Sequence, residues 1–562
     1  MFQLSFGMNP ITGGKMGRKR PNILWISFED TNPFYGCYGD PVARTPNLDA
    51  FAEKGCRYRH CFSTAGVCAP ARSAVITGMY PVSIGTHHMR TSHTDPMAPE
   101  LPTPYSAVIP HYIKCFSEYM RAEGYYCTNN KKTDYQFDPP FTAWDDCSGT
   151  AHWRKRSDPE QPFFAVFNID RTHESGMWPE TCPDIAFDPS EIKVPPYFPD
   201  TLKVRESLAR MYTNIELNDR VFGELLGQLE EDGLTENTVV FHWSDHGPLP
   251  RGKRWPYDSG IHVPLLVRWP GRIKPGSTSD RLVSTVDLGP TVLSIAGIPI
   301  PLHIQGKAFL GEESALPREY VYASRDRYDI SYDMIRAVRS SRFKYMRHYH
   351  PELPYNLWVP YRNRHPIMQE MWKEFMAGKL AGPQMLMFQP RPPEELYDTE
   401  KDPHEIHNLA GNPGYERELQ LMRKVLDKWL EEVGDMGRIP ESEMVRSWYP
   451  GGKQPETAAP VFVPISEESP GIEAAGKEET DRLKNHLPIK PCCELRHPVL
   501  VQLYCATQGA SIGYTLEEGD NPEWLLYGNP VPLEKGKTTL RAKSVRIGYK
   551  ESRVSTATFI VK

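Results

Sequence analysis

What the 562-residue chain lacks narrows its function. No run of 18 apolar residues occurs, so no membrane-spanning helix is expected. Glycine (41) and proline (54) are frequent but follow no period, which argues for many turns and against collagen or wholesale disorder. An excess of one charge is also missing. The chain has 65 Lys and Arg against 71 Asp and Glu, a formal charge of -6 with both signs interspersed, and so no general electrostatic reason to bind nucleic acid. Eleven cysteines form no repeated C-x-x-C frame, and an odd number cannot all pair within one chain. At least one thiol therefore needs another explanation. The opening MFQLSFGMNPITGGKMGRKR has too short an apolar stretch for a secretion signal. The expected location is cytoplasmic for the chain as it stands, and periplasmic or secreted if a signal has been removed.

What is present is a long alternation of strand, loop and helix. PNILWISF (21–28) is an apolar run that ends in Glu29 and Asp30, as a buried strand delivering acids at its C-terminal edge would. TPNLDAFAEKGCRYRHCFS reads as helix, turn and strand, and PFFAVFNID (162–170) as a strand followed by His173. Residues 204–230 carry a helical pattern, and TVVFHWSDHG (238–247) returns to strand before releasing Asp245 and His246. VPLLVRWPG (263–271) and VSTVDLGPTVLSIAG (283–297) continue the rhythm, which predicts a large α/β sheet flanked by helices. After about residue 320 the pattern changes. YDMIRAVRSSRFKYMRHY predicts a hairpin, LYDTEKDPHEIHNLA a turn-rich stretch and YERELQLMRKVLDKWLEEVG an amphipathic helix. The expected division is a catalytic α/β domain over 20–320, a C-terminal α+β subdomain over 321–445, a strap or linker over 446–486, and a small all-β module over 487–562.

The sharpest local signal is VCAPARSAVITG (67–78). Pro70 restrains a turn, the residues after Ala71 can open a helix whose N-terminal amides favour an anion, and Arg72 adds a charged fork suited to a tetrahedral oxyanion. Cys68 beside such an anion hole is a candidate nucleophile, with a structural thiol as the alternative. Glu29, Asp30 and Asp245, at the ends of predicted strands, are oxygen ligands that folding could gather around a hard divalent ion.

Cys68-Ala-Pro70-Ala-Arg72, with Ser73 and Thr77-Gly78 behind it, resembles the signature of the type I sulfatases, C-x-P-x-R-x(4)-T-G. PNILWISFED, TPNLDAFAEKG and LYDTEKDPHEIHNLA resemble further segments of that family in the expected order, over about residues 20–435. The resemblance implies a sulfatase fold like that of alkaline phosphatase, and conversion of Cys68 to Cα-formylglycine by a formylglycine-generating maturation enzyme. It also implies one Ca²⁺ held by Glu29, Asp30, Asp245 and His246 together with the modified Cys68. Glu29 departs from the commoner Asp.

Arg72, Lys132 and Lys253 are then candidates for oxyanion support, with Arg254 the rival of Lys253 and Lys131 that of Lys132. Asp134 stands where the family usually has a histidine that handles a proton on the formylglycine diol. His173 resembles the family's sulfate-binding or leaving-group histidine. His87, His88 and Arg90, His152 with Trp153 and Arg154, and His262 are outer candidates for substrate recognition. The implied reaction is attack of a diol hydroxyl on sulfur, departure of the sugar-side alcohol or amine, a sulfated enzyme intermediate, and release of sulfate with the aldehyde restored.

SDHGPLPRGK and the short loop before VPLLV resemble the heparan N-sulfatase-like branch, which implies a sulfated carbohydrate carrying a sulfate ester or sulfamate. The tail resembles the small β domain of bacterial glycan enzymes, expected to pack on the catalytic body or to bind sugar. The alternatives are a phosphate-ester or phosphonate hydrolase of the same superfamily, and an inactive glycan-binding protein. Neither nucleic acid nor membrane is expected as a partner, and the oligomeric state is left open.

Overall fold

The computed structural model describes residues 20–467, 471 and 493–562. The opening peptide read for a secretion signal lies outside the described residues, apart from Arg20.

Eight strands form the main sheet: β1 (Asn22–Phe28), β2 (Cys56–Phe62), β3 (Tyr126–Asn130), β4 (Asp146–Cys147), β5 (Phe163–Ile169), β6 (Thr238–Ser244), β7 (His262–Arg268) and β8 (Ser277–Ser284), in the order β4-β3-β5-β1-β6-β7-β2-β8. All are parallel except β7, which runs against both β6 and β2. β1 is buried at every position because both faces of the sheet are covered. Ile23 and Trp25 enter one core with Phe164, Phe241 and Leu265, while Leu24, Ile26 and Phe28 enter the other with Leu208, Ile215 and Phe222. The alternation of side chains along a strand thus feeds two layers at once.

The second core lies under a 30-residue helix, Leu202–Glu231, opened by Thr201, whose hydroxyl accepts from the Val204 amide at 3.4 Å. β5, β1 and β6 are neighbours and parallel, so the loops carrying His173, Asp30 and Asp245 all emerge at one edge. Open parallel sheets bind ligands at that edge.

A smaller antiparallel sheet, β12-β11-β10-β9, follows, from β9 (Val321–Arg325), β10 (Ile335–Arg339), β11 (Phe343–His348) and β12 (Glu394–Asp398). The expected hairpin is β10 and β11. The stretch read as turn-rich begins instead inside a strand, because Leu396 to Asp398 pair with Phe343 to Tyr345. The helix Glu416–Val433 lays Leu419, Met422, Leu426, Trp429 and Leu430 against Val338, Tyr345 and Leu396 of this sheet.

The C-terminal strands are β13 (Val461–Ile465), β14 (Cys493–Leu495), β15 (Val499–Tyr504), β16 (Ser511–Thr515), β17 (Leu525–Leu526), β18 (Val531–Leu533), β19 (Gly536–Val545) and β20 (Ser555–Val561). They form two sheets around a core that includes Phe462, Val501, Leu540 and Phe559. β13 belongs to the stretch expected as a strap, yet it pairs with β15 along its length. Residues 468–470 and 472–486 of that stretch lie outside the described residues. These sheets pack on the main body: Lys114 donates to the Gly509 carbonyl at 2.6 Å and Arg121 to the Trp524 carbonyl at 2.8 Å.

Candidate active site

The helix Cys68–Thr77 is buried throughout and begins at Cys68 itself, four residues earlier than the sequence suggests. Pro70 is tolerated because its missing N–H falls in the first turn, where amides have no partner inside the helix. The C-x-P-x-R spacing then has a geometric meaning. Cys68 and Arg72 stand one turn apart and face the same way. Gly78 closes the helix with φ of 68°, in the left-handed region that favours glycine.

Two chain segments, one carrying Asp30 and the other Asp245 and His246, meet Cys68. Its Sγ lies 3.1 Å from His246 Nε2, which is 3.2 Å from Asp30 Oδ1 and 3.9 Å from Asp245 Oδ2. Asp30 has a φ of 46°, a sharp turn that aims its carboxylate back over the end of β1. The amide of Glu174 holds Asp30 Oδ2 at 2.7 Å, and the amide of Asp30 donates to Asp245 Oδ1 at 3.1 Å. His246 Nδ1 is 3.0 Å from the Gly247 carbonyl, which can only accept, so this nitrogen carries the hydrogen and Nε2 faces Cys68 and the acids.

One donor atom each from Asp30, Cys68, Asp245 and His246 lies within 4.8 Å of all the others, and all four residues are buried. Asp30 Oδ1 is buried with no hydrogen-bond donor. A donor set of two carboxylates, one imidazole and the Cys68 position, with one carboxylate oxygen unsatisfied, fits a divalent cation. Glu29, expected among the ligands, is outside this group. Its Oε1 accepts from Arg72 at 3.3 Å and pairs with Lys132.

Charge around the cluster is tightly balanced. Arg72 is 4% exposed and spends its fork on three partners: Asp245 at 3.0 Å, Glu29 at 3.3 Å and the Asn168 side-chain carbonyl at 2.9 Å. Burial alone would raise the Asp245 carboxyl, but His246, Arg72 and Lys132 hold it well below the carboxylate range. Burial disfavours the charged form of His246, yet with no cation among them Asp245, Asp30 and Cys68 push it up to about 9, and a bound cation would take the place of the Nε2 proton. Lys253 pairs with Asp30 and lies 3.1 Å from Glu174, while Arg254 grips Glu174 at 2.8 and 3.1 Å. Lys132 points at Glu29, whereas Lys131 is exposed.

His173 sits at the rim, its Nδ1 2.9 Å from Ser175 Oγ and accepting from the Ser175 amide at 3.4 Å. Burial, and then Lys253, bring it down to about 4, so it is a neutral imidazole at physiological pH. Asp134 and Arg90 both adopt left-handed backbone, with φ of 53° and 64°. Arg90 meets Asp329 at 3.7 Å, and Arg254 meets the same carboxylate at 3.4 Å. Asp329 (φ 52°) and Arg254 (φ 77°) share that backbone region, so three non-glycine residues in strained conformations join one ion network.

Other expected residues are placed elsewhere. His87 and His88 are fully buried, their rings 4.2 Å apart, and none of their four ring nitrogens has a hydrogen-bond partner. His152 binds Gln228 at 2.9 Å and Arg154 pairs with Asp232 and Glu231, at the end of the long helix. The His262 ring stacks on Phe62 and binds the Arg59 carbonyl at 2.9 Å. The structure does not bring His152, Arg154 or His262 into the cluster. Conversely, Asn168, Glu174 and Asp329 had not been singled out. Only Asn168 left a signal, as the polar exception in the apolar strand FFAVFNI.

The arrangement is a buried nucleophile position, a cation cluster and a ring of guanidinium and ammonium groups, which suits an oxyanion centre. The family model described as Sulfatase matches residues 21–298, and that described as N-sulphoglucosamine sulphohydrolase, C-terminal, matches residues 246–372. An ulvan-active sulfatase of Formosa agariphila is 40% identical over 95% of this chain and 91% of its own length.

The chain belongs to the sulfatase family.

Human N-sulphoglucosamine sulphohydrolase is 28% identical to this sulfatase over 74% of the chain and 91% of the human protein. Among solved structures, a 2-O GAG sulfatase superposes with a TM-score of 0.54 at 19% identity, covering 75% of this chain and 94% of that one. A phosphonate monoester hydrolase of Agrobacterium radiobacter gives 0.52 at 18% identity, over 74% and 96%. These two likenesses concern the fold alone, which serves both sulfur and phosphorus esters. As a sulfatase the protein hydrolyses sulfate esters, and Cys68 occupies the position that the family converts to formylglycine.

Proposed function

We propose that this sulfatase is calcium-dependent and removes sulfate from a sulfated polysaccharide, with formylglycine made from Cys68 by a formylglycine-generating enzyme. The observation that carries the reading is the place of Cys68 at the head of a buried helix, among Asp30, Asp245 and His246 and one turn from Arg72. The 40% identity to an ulvan-active sulfatase across nearly the whole chain favours ulvan over N-sulfoglucosamine as the substrate to try first.

Formylglycine at Cys68 would supply a hydrated aldehyde as the nucleophile towards sulfur, and a bound Ca²⁺ would supply positive charge at the reacting centre. Asp30, Asp245 and His246 would hold the ion. Glu29 offsets the charge of Arg72 and Lys132, which together with Lys253 would bind the sulfate oxygens. Asp245 lies beside the nucleophile position and stays ionised, so it would accept a hydrogen bond from the attacking hydroxyl and polarise it. His173 carries its hydrogen on Nε2, because Nδ1 accepts from the Ser175 amide. That N–H would donate a hydrogen bond to a sulfate oxygen or to the departing oxygen, without giving up the proton. Arg90 and Arg254 would serve the sugar side of the substrate, and Asp134 would handle a proton on the diol or orient Lys132.

Mass spectrometry across residues 67–72, on protein made with a competent maturation system, tests the nucleophile. An aldehyde or its hydrate is expected, and an unmodified thiol in protein that still releases sulfate would overturn the proposal. Sulfate release from ulvan and from N-sulfoglucosamine then separates the two substrate classes.

A further inference from the structure

The catalytic cluster occupies one end of the eight-stranded sheet, and a second cleft opens at the other. β7 runs against β6, so its last residue, Arg268, pairs with Val240 near the start of β6. Val240 and Asp245 are five positions apart, about 16 Å at roughly 3.3 Å per residue. There the helix Pro46–Glu53, the second half of the helix Leu202–Glu231 and the turn after β7 enclose a cleft of about 1010 Å³.

Arg268 lines that cleft and is 9% exposed, and its Nε and Nη2 are buried with no hydrogen-bond partner. The ring of Phe51 lies 5.8 Å from the guanidinium. A guanidinium stripped of water without compensation is unfavourable, which is why buried arginines are nearly always paired. Glu230 and Glu236 also line the cleft and offset part of the cost of burying the Arg268 charge, but among the described residues neither comes within ion-pair distance of it. Lys54, Arg272 and Lys274 complete the lining; all three are exposed, and none is ion-paired among the described residues. Four cations thus face two acids. Arg272 lies over the Trp269 ring at 5.9 Å, and both residues continue into an adjoining pocket of about 600 Å³.

A planar fork with two unsatisfied donors matches a carboxylate or sulfate once the Arg268 side chain turns those buried nitrogens towards the cleft, and exposed cations at the rim suit a ligand with repeated anionic groups. We propose that this cleft is a second binding site for the sulfate or carboxylate groups of a polymeric anionic carbohydrate, anchoring the polymer away from the catalytic cluster. The proposal rests on the reading of a sulfated polysaccharide as substrate.

The test is migration of the intact protein through native gels cast with ulvan, which reads binding without turnover. Wild-type protein is expected to be retarded, less so as salt rises. Arg268→Gln is expected to weaken the apparent Kd about tenfold, the worth of one charge-assisted hydrogen bond. The double variant Arg272→Gln/Lys274→Gln, confined to exposed positions, is expected to act in the same direction and guards against misfolding of the first. Competition by inorganic sulfate or by glucuronate distinguishes a sulfate reader from a carboxylate reader. Retardation identical in wild type and both variants, or insensitive to both competitors, overturns the proposal. Ulvan bound in a variant-sensitive way but never hydrolysed would sink the substrate reading and leave the cleft; ulvan hydrolysed without variant-sensitive retardation would do the reverse.

Discussion

Cys68 Sγ and His246 Nε2 lie 3.1 Å apart although 178 positions separate them, and the His246 ring is fixed from behind by the Gly247 carbonyl. The cysteine opens a helix, while the histidine follows β6. Their meeting depends on β1 and β6 being adjacent and parallel, because Asp30 and Asp245 then arrive between them. A modest displacement of either element would separate nucleophile and ligands, so activity here should respond sharply to changes that leave the fold intact.

Removing a ligand carboxylate should be the severest isosteric change. Asp30→Asn and Asp245→Asn should each lower kcat for sulfate release by at least about 10²–10³, the scale of losing one preorganised electrostatic group. Glu29→Gln should cost less, because Glu29 faces Arg72 and Lys132 instead of the donor group. Steady-state assays in calcium, beside calcium binding by calorimetry, check the ranking; equal losses for Glu29 and Asp30 would place Glu29 among the ligands.

Chelation should abolish sulfate release, and Ca²⁺ should restore it better than Mg²⁺. Mg²⁺ demands near-ideal octahedral oxygen geometry, whereas Ca²⁺ tolerates an irregular set built from two loops and the head of a helix. Activity recovered fully by Mg²⁺ alone would count against calcium.

Arg72→Ala should leave Asp245 and Glu29 buried without their shared guanidinium, a destabilisation of about 3–5 kcal/mol. Arg72→Lys keeps the charge but cannot reach Asp245, Glu29 and Asn168 together, so it should restore much of the thermal midpoint and little of kcat. Calorimetry and kinetics on both variants separate packing from chemistry.

Glu174→Gln should weaken catalysis about 10–100-fold, since the carboxylate that positions Lys253 and Arg254 loses its charge. A loss carried by KM would mean that the two cations chiefly bind substrate, and a loss carried by kcat that they act in the transition state.

Stability should fall as pH drops below 6.5. His242 and His365 are fully buried, and burial holds each at about 3 in the folded protein. The unfolded chain takes up protons near 6.5 and the folded chain does not. The stabilisation from these neutral rings is therefore complete above 6.5 and is lost as pH falls towards 3, to a limit of about 4–5 kcal/mol per ring. Thermal midpoints at pH 7.5, 6 and 5 should decline in step, and His242→Gln should flatten the slope. A midpoint independent of pH across that range would refute this.

Local patterns made much of the protein legible before any contact was known. PNILWISF and TVVFHWS are strands because apolar β-formers buried on two faces allow little else, and the acids that follow them must emerge where the strands end. By contrast, the cysteine and arginine of C-x-P-x-R share a helical face only because the helix starts at Cys68, ahead of the position that the sequence indicates. LYDTEKDPHEIHNLA reads as turns until β11 supplies a partner for its first residues, since pairing is a property of two segments.

Tertiary structure decided which charges face which. His152, Arg154 and His262 have the same chemistry as His173 and Lys253, but their strand ends and helix faces carry them to other partners. Glu174 and Asp329 became visible only through the cations folded onto them. The chain's own residue order determined the family, the nucleophile position and the run of strands, because those rest on short-range periodicity and motif spacing. The ligand set, the buried counter-charges and the unpaired Arg268 were decided by packing, because Coulomb energy and desolvation depend on distances and burial that exist only in the fold.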